Sequence, residues 1–238
     1  GGSERWIGAR TARYLARKGE TQRWAIAGRN PAKLERVRTE LARIDSKLAE
    51  LPLIIASSND LGALRAMAKR TRVIVSTVGP FAIHGMPLIQ ACIDEGTDYG
   101  DITGEPEFVD RTLAEYGDAA REAGVRIVSC CGFDSIPHDR GAWLCARELP
   151  SNAPMKIEGF VRSKGTFSGG TWQSAVSAMA NFRDTARARK ERPRVDAGPG
   201  RRVGLLKARV HRESRLHAWA VPLPTLDPAV VRRCPPPL

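Results

Sequence analysis

The chain has 238 residues, of which 42% are apolar, so it can bury a substantial core in one large domain or two smaller ones. Its net charge is +12, but the stretch from Arg183 to Arg215 holds twelve basic and four acidic residues and so carries +8 of that charge. The rest is nearly balanced, which argues against a basic face over the whole molecule and against nucleic-acid binding. The basic stretch is either a solvated helix face and loop or a contact for phosphate groups.

Cysteine and histidine usage points to a reduced setting without a metal. The five cysteines have no CxxC pair, and no secretory signal is visible, which predicts a cytoplasmic protein. The four histidines lack zinc-ligand spacing, so no metal site is predicted. The stretch from Val73 to Ile93 has no formal charge, but Gly79, Pro80 and Pro87 interrupt it, and a strand, a turn and a helix explain it better than a membrane span.

Short apolar runs alternate with longer amphipathic stretches, which predicts βαβ units around a parallel sheet. The predicted strands are 24–27, 53–56, 73–77, 97–101 and 126–130. The predicted helices are 8–18, 31–49, one ending at Arg70 and capped by Ser58, Asn59 or Asp60, 86–95, 106–123 and 135–147. After Pro150 the pattern changes to a half-buried strand at 156–162, a helix at 168–189 and a loop at 192–204.

This order of elements predicts a Rossmann-like, doubly wound α/β domain over 1–150 and a partial α+β domain over 151–238. In that fold a strand precedes the first glycine-rich turn and lies at the centre of the sheet. Here the glycines begin at residue 1, so we expect the first strand to be missing and the second domain to be truncated.

The segment Gly2-Ser-Glu-Arg-Trp-Ile-Gly8 matches a GxxGxxG turn, with Arg5 at the middle position. A glycine there lets the backbone approach a pyrophosphate, and the long side chain of Arg5 should obstruct that approach. The alternative is an N-terminal stub with no role in binding.

Arg29 follows the predicted strand 24–27, which is the second strand of the fold when the expected first strand is counted. It lies about 20 residues after the glycine turn, where this fold meets the adenosine ribose. A carboxylate at this position would favour NAD, whereas a guanidinium fits the 2′-phosphate of NADP, with Asn30 and Lys33 close by. The alternative for Arg29 is a solvated arginine in a turn.

The segment Ser76-Thr-Val-Gly-Pro-Phe81 leaves the strongest predicted strand at its carboxyl end, where this fold places its ligand. Small residues there let a dinucleotide pass over the edge of the sheet. A plain strand-to-helix turn is the alternative.

With these segments, four further stretches of the chain resemble the saccharopine dehydrogenase-like oxidoreductases, and most closely the bacterial trans-acting enoyl reductases. The stretches are Thr97-Asp-Tyr-Gly-Asp-Ile-Thr-Gly-Glu105, Cys131-Gly-Phe-Asp-Ser-Ile-Pro137, Gly165-Thr-Phe-Ser-Gly-Gly-Thr171 and Trp219-Ala-Val-Pro-Leu-Pro-Thr-Leu-Asp227, followed by Val230-Val-Arg-Arg233. The resemblance implies an NADP(H)-binding Rossmann domain and reduction of unsaturated acyl or lipid-linked substrates in lipid or glycolipid assembly. It also implies a homodimer and, from related members, peripheral membrane association.

The resemblance and the register together predict a set of cofactor-binding residues. These are Gly2, Ile7, Gly8, Arg29, Asn30, Lys33, Asn59, Thr77, Val78, Gly79 and Pro80. The chain departs from the family pattern in its missing first strand, in Arg5 and in its shortened second domain.

Four residues near the predicted carboxyl edge of the sheet are candidates for proton donation or substrate orientation: Tyr99, Asp101, Glu105 and Asp134. Acids at such positions also cap helices and tie loops together, so this second role stays open.

A different class of function is also open. The chain would then be a non-catalytic Rossmann scaffold that binds a partner or an anionic membrane surface.

Overall fold

The computed structural model describes residues 4–19, 22–133, 135–150, 153–162, 204–206, 209–222 and 226–233. Within them, five short parallel strands precede Pro150: β1 (Ile26–Gly28), β2 (Leu53–Ile55), β3 (Val73–Ser76), β4 (Asp98–Asp101) and β5 (Ile127–Val128). The α/β class and the parallel pairing predicted from the sequence are confirmed.

The strands form two sheets where one was predicted. β1 pairs with β2 in the first sheet, and β3, β4 and β5 pair in that order in the second. A doubly wound sheet of this type places a further strand between these two groups.

Over the part of the chain described before Pro150, seven helices lie before, between and after these strands. They are α1 (Glu4–Lys18), α2 (Pro31–Ala42), α3 (Leu61–Ala68), α4 (Phe81–His84), α5 (Met86–Asp94), α6 (Pro106–Glu122) and α7 (Ile136–Glu148). The Asn30 side chain caps α2 by accepting from the backbone N–H of Lys33, and Asp60 caps α3 by accepting from that of Ala63. Gly96 follows α5 in the left-handed region, as a C-terminal cap requires.

Two hydrophobic clusters of described residues hold these elements. The first joins α1, α2 and β1 through residues such as Ala12, Leu41 and Ile26. The second is larger and joins α3, α4, α5, β4 and α6; its members include Met67, Phe81, Ile89, Tyr99 and Phe108. Ile54 on β2 also packs against the second cluster, so the first sheet contributes to both.

Several predicted boundaries are wrong. α1 begins at Glu4, so the residues assigned to a glycine-rich turn are helical from that point, Arg5 included. α2 ends at Ala42, and a 3₁₀ helix (Ser46–Glu50) follows because the Asp45 side chain accepts from the backbone N–H of Lys47 and starts a new turn. The short helix α4 was not predicted.

Two predicted strands also differ. β5 stops at Val128 because Cys130, expected to be part of it, has a φ of 66° and gives its N–H to the Asp101 side chain. Residues 156–162 are exposed and have no regular secondary structure, so the strand predicted there is wrong.

The described part of the chain after Pro150 contains an antiparallel hairpin, β6 (His211–Glu213) and β7 (Ala218–Ala220), and the helix α8 (Asp227–Arg233). The Ser135 hydroxyl donates to Asp227 at 3.1 Å and ties the start of α7 to α8. Most of the predicted 168–189 helix and 192–204 loop lies outside the described residues. Among the described residues, no helix is long and apolar enough to cross a membrane.

Candidate cofactor-binding site

Several predicted site residues lie at or just after the carboxyl ends of the parallel strands, where a doubly wound fold binds its ligands. Arg29 directly follows β1 and its side chain is exposed. The side-chain oxygen of Asn30 caps α2, and Lys33 lies exposed in the first turn of that helix. The end of β1 and the first turn of α2 therefore present a guanidinium and an ammonium group four residues apart in sequence, both in contact with solvent.

Helix α1 reaches from the first sheet to the end of β3. A Cβ at Gly8 would lie 3.0 Å from the Thr77 hydroxyl oxygen, so the first turns of α1 come close to the loop after β3. Few real side chains tolerate a contact this short, which explains a glycine at position 8. Gly8 and Thr77, predicted from separate motifs, are thus brought together.

The loop after β3 passes over the edge of the second sheet. Val78 is about half exposed and its N–H lies 3.4 Å from the Ser76 hydroxyl oxygen. The Gly79-Pro80 peptide is cis, and α4 begins immediately after it.

Glu105, from the loop after β4, holds the start of α4. One carboxylate oxygen accepts from the backbone N–H of Phe81 at 3.0 Å, and the other accepts from that of Ala82 at 2.9 Å. These two N–H groups are therefore engaged within the protein and do not point to a cofactor phosphate. Phe81 is buried against Phe108, with ring centroids 5.7 Å apart, which fixes the other side of the same turn.

Asp101, the last residue of β4, holds the loop after β5 in a similar way. Its Oδ1 accepts from the backbone N–H of Cys130 at 3.0 Å, and its Oδ2 accepts from the Ser129 hydroxyl at 3.1 Å. The Asp101 backbone carbonyl also accepts from the N–H of Cys131 at 2.7 Å.

Thr103 joins these two acids into one network. Its N–H donates to Asp101 Oδ1 at 3.0 Å, and its hydroxyl oxygen accepts from the N–H of Glu105 at 3.1 Å. Hydrogen bonds thus run from the loop after β5, through the loop after β4, to the loop after β3. This crest network, defined as Asp101, Thr103 and Glu105 with their partners, sets the relative positions of three consecutive loops.

Burial limits the protonation chemistry of Tyr99 and Asp101. Both are almost completely buried. Desolvation by burial, and then the Asp101 charge, raise the pKa of Tyr99, while burial raises the pKa of Asp101 against the hydrogen bonds that stabilise its charged form. The Tyr99 hydroxyl lies in the interior without a hydrogen bond of normal geometry. Catalytic roles for these residues stay predictions.

Asn59 lies in a groove next to the loop after β2. The groove has a volume of about 360 Å³ and is lined by Ser58, Asn59, Leu61, Met86, Pro87, Gln90 and Tyr116. The Ser58 hydroxyl lies 3.2 Å from Nδ1 of His84, which links this loop to α4.

Sequence reasoning missed several residues that shape the site: Thr103, Ser129, Cys130, Ser58 and His84. Only Thr103 had a usable signal, because its position two residues after Asp101 and two before Glu105 is typical of local side-chain-to-backbone turns. Of the predicted set, Ile7 is about half exposed on α1, whereas Gly2 and Asp134 lie outside the described residues.

The geometry fits a dinucleotide. An exposed guanidinium follows β1, a glycine permits close approach between α1 and the loop after β3, and tied loops form the adjacent crest. The first sheet and the second sheet correspond to the two mononucleotide-binding halves of a doubly wound fold. The fold is that of a dinucleotide-binding domain, and the exposed Arg29 after β1 has the chemistry that suits the 2′-phosphate of NADP.

Comparison with known proteins gives the family. The saccharopine dehydrogenase NADP binding domain matches residues 6–128, which is more than half of the chain. The protein belongs to this NADP(H)-binding family of saccharopine dehydrogenase-like oxidoreductases.

The chain is 39% identical over 220 residues to a saccharopine dehydrogenase-like oxidoreductase of Arabidopsis thaliana, covering 88% of this chain and 47% of that protein. It is 43% identical over 138 residues to a trans-acting enoyl reductase of Mycobacterium bovis, covering 58% of this chain and 32% of that protein. Apo saccharopine dehydrogenase from Saccharomyces cerevisiae superposes with a TM-score of 0.48 at 15% identity, over 59% of this chain and 28% of the yeast chain. The chain spans about half the length, or less, of the curated relatives that it matches.

Proposed function

We propose that this chain forms the cofactor-binding part of an NADPH-dependent reductase that acts on an unsaturated acyl or lipid-linked substrate in lipid or glycolipid biosynthesis. The observation that carries the cofactor half of the proposal is the exposed Arg29 at the carboxyl end of β1, in a parallel sheet. The enoyl reductase names among the relatives support the substrate half.

In this proposal the cofactor supplies the hydride, and the chain's own residues bind and orient it. Arg29 holds the 2′-phosphate, with Lys33 adding positive charge beside it. Gly8 lets α1 come close to the loop after β3 at Thr77, and we assign the pyrophosphate to the edge of this contact. The crest network keeps the loops beneath the nicotinamide end in one arrangement.

Titration of the chain with NADPH and with NADH, followed by tryptophan fluorescence quenching, tests the cofactor preference. Trp24 packs against the cluster that holds β1 and provides a reporter near the adenosine half. We expect saturable quenching by NADPH at concentrations where NADH has little effect. Equal and negligible quenching by both nucleotides would exclude the proposed function for this chain.

The variant Arg29→Ala tests the residue itself. Loss of one charge-assisted contact to a phosphate is worth about 2 kcal/mol, so the Kd for NADPH should rise roughly thirtyfold while the Kd for NADH stays unchanged. Arg36→Ala is the matched control, because Arg36 is an exposed arginine on α2 that lies one helical turn beyond Lys33. An Arg29→Ala variant that keeps the wild-type preference for NADPH would remove Arg29 from the site.

A second candidate function is attachment to an anionic membrane surface, supported by the β6–β7 hairpin. Arg212 and Trp219 are opposite each other on one face of the hairpin, and the Trp219 side chain is 70% exposed. An exposed cation beside an exposed indole suits a charged lipid surface. Flotation with liposomes that contain anionic lipid, with and without added salt, tests this candidate. Absence from the liposome fraction at low salt would exclude it.

A further inference from the structure

The loops that surround the proposed nicotinamide half are joined by side chains from a single segment. Within the described residues, Asp101 and Glu105 both come from the end of β4 or the loop after it, and each reaches a neighbouring strand's loop. Asp101 binds the loop after β5, and Glu105 binds the start of α4, directly after the loop that follows β3. The middle strand of the sheet therefore fixes the loops on both sides of it.

Within this network, Glu105 binds the turn that follows β3. Its two carboxylate oxygens accept from consecutive backbone N–H groups, at 3.0 and 2.9 Å, immediately after the Gly79-Pro80 turn. Phe81, which supplies the first N–H, is buried, so the turn is held by packing on one side and by Glu105 on the other. A charged acceptor bound to two N–H groups is a strong and directional contact.

The adenosine half is built differently. Arg29 and Asn30 connect β1 to α2, and Lys33 lies in the first turn of α2. Both elements pack in the other hydrophobic cluster, and β1 belongs to the other sheet. The hydrogen bonds of Glu105 go to Phe81 and Ala82, both in the second half of the domain. A change at Glu105 should therefore act on one half of the dinucleotide site and leave the other intact.

We propose that Glu105 is a positioning residue that sets the nicotinamide-side loop for NADPH and does not donate a proton. This inference rests on the proposed function, since it assigns the second sheet to the nicotinamide half. Both carboxylate oxygens are committed to backbone N–H groups, which is the arrangement of a loop anchor. The neighbouring Thr103, whose hydroxyl oxygen accepts from the N–H of Glu105, holds the anchor itself.

The test compares a whole cofactor with its two halves on the full chain. Isothermal titration measures the Kd of NADPH, of adenosine 2′,5′-bisphosphate as the adenosine half, and of reduced nicotinamide mononucleotide as the other half. In Glu105→Gln, the amide replaces one acceptor oxygen with a donor, so one of the two N–H groups loses its partner. We expect the Kd of NADPH to rise on the order of tenfold, weaker binding of the nicotinamide half, and an unchanged Kd for adenosine 2′,5′-bisphosphate.

Glu122→Gln is the matched control, because it makes the same chemical change on the exposed end of α6. Thr103→Val is a second and milder variant: it keeps the N–H bond to Asp101 and removes the acceptor for Glu105, so it should shift NADPH affinity in the same direction by a smaller factor. If Glu105→Gln fails to fold, as judged by circular dichroism, Thr103→Val decides the question.

The outcomes separate this inference from the proposed function. Wild-type chain that binds neither NADPH nor adenosine 2′,5′-bisphosphate refutes the proposed function and this inference with it. A second outcome is that the wild-type chain binds NADPH and adenosine 2′,5′-bisphosphate, and that Glu105→Gln weakens the binding of both equally or of neither. This outcome overturns the positioning role of Glu105 alone. A loss confined to NADPH and the nicotinamide half supports it.

Discussion

The Cys92 thiol shows how burial controls the chemistry of one side chain. Cys92 lies on α5 with no exposed surface, and burial, with a smaller contribution from the Asp98 charge, raises its pKa to about 12. At pH 8 the thiol is therefore protonated and out of reach of reagents. We expect iodoacetamide to leave Cys92 unmodified in the native chain and to modify the exposed Cys145, as measured by peptide mass spectrometry.

The control for this prediction is the same reaction in urea, where both thiols should be alkylated. Rapid native labelling of Cys92 would mean that α5 opens frequently, and that the larger hydrophobic cluster is less stable than its packing indicates.

Individual residues were predictable from the sequence where their partners are local. Asn30 and Asp60 each cap a helix by accepting from the backbone N–H three residues ahead. The sequence indicated Asn30 directly and gave Asp60 as one of three candidates, with Ser58 and Asn59. Asp101 and Glu105 were placed correctly at the edge of the sheet, but their bonded partners lie 23 to 29 residues away along the chain. Sequence spacing carries no information on such pairs, so an anchoring role and a catalytic role could not be separated.

At the scale of elements, the junction of α4 and α5 depends on Gly85. A Cβ at this position would overlap the Phe108 ring and lie 2.8 Å from the Phe81 carbonyl oxygen. We expect Gly85→Ala to lower the free energy of unfolding by about 1–3 kcal/mol, because the core around Phe108 must shift to accept the methyl group. Urea denaturation of the full chain measures this loss.

Gly117 provides the matched control within α6. A Cβ there meets no atom within 4 Å, and Gly117 lies inside the helix. Gly117→Ala should therefore stabilise the chain by about 0.5–1 kcal/mol through helix propensity alone. If both alanine variants had the same effect, the close contact between Gly85 and Phe108 would not exist in solution.

The ion pair between Asp98 and Arg126 joins the start of β4 to the start of β5. Hydrogen bonds from the Arg126 side chain and then from its backbone N–H lower the pKa of Asp98 below its ordinary value of 3.8. When the pKa of a carboxyl is lower in the folded state than in the unfolded state, its charged form stabilises the fold. This stabilisation is present above pH 3.8, the ordinary pKa of the group, and it is lost as the pH falls through the lowered pKa of the folded state.

Thermal melting of wild type and Asp98→Asn between pH 6 and pH 2 should therefore show a difference that is constant near neutral pH and shrinks in acid. Glu122→Gln, which makes the matching acid-to-amide change at an exposed position outside the pair, is the control for loss of a carboxylate. A gap between wild type and Asp98→Asn that stays constant down to the lowest pH would contradict the lowered pKa.

Most helices and strands before Pro150 were predictable because each is a contiguous pattern with local end signals. The exceptions have physical causes that lie outside the pattern. α2 ends early because Asp45 starts a separate turn, and β5 is short because Asp101 captures the N–H of Cys130. The alternation at 156–162 suggested a strand, but alternation alone forms no strand unless a neighbouring strand pairs with it.

At the scale of the whole molecule, the division of the sheet is the dominant feature. The sequence predicted the position of a missing central strand but did not show whether β1 and β3 would pair directly without it. They do not: β1 pairs with β2, and β3 pairs with β4, so one edge of each is unpaired within the described residues. Val73 and Val75 on β3 are more than half exposed, whereas Ile74 between them packs into the core.

These unpaired edges give a prediction for amide exchange. Ile26 donates its N–H to the Pro52 carbonyl, and strand alternation turns the N–H of Ala27 to the opposite edge. By the same alternation Val75 faces the unpaired edge of β3, while Ile74 and Ser76 face β4. We expect hydrogen exchange, followed by NMR, to be faster at Ala27 and Val75 than at Ile26 and Ile74.

A chain extended ahead of Gly1 by an apolar, β-branched hexapeptide tests whether the gap accepts a strand. A parallel strand between β1 and β3 would give order β2-β1-new-β3-β4-β5 and pair both edges at once, so exchange at Ala27 and at Val75 should slow together. The same extension with a central proline cannot supply the full set of hydrogen bonds and serves as the control. Only a strand that pairs with both β1 and β3 would slow exchange at Ala27 and at Val75 together. Slower exchange at one of these residues alone would therefore show that the gap between the two sheets is not the width of a single strand.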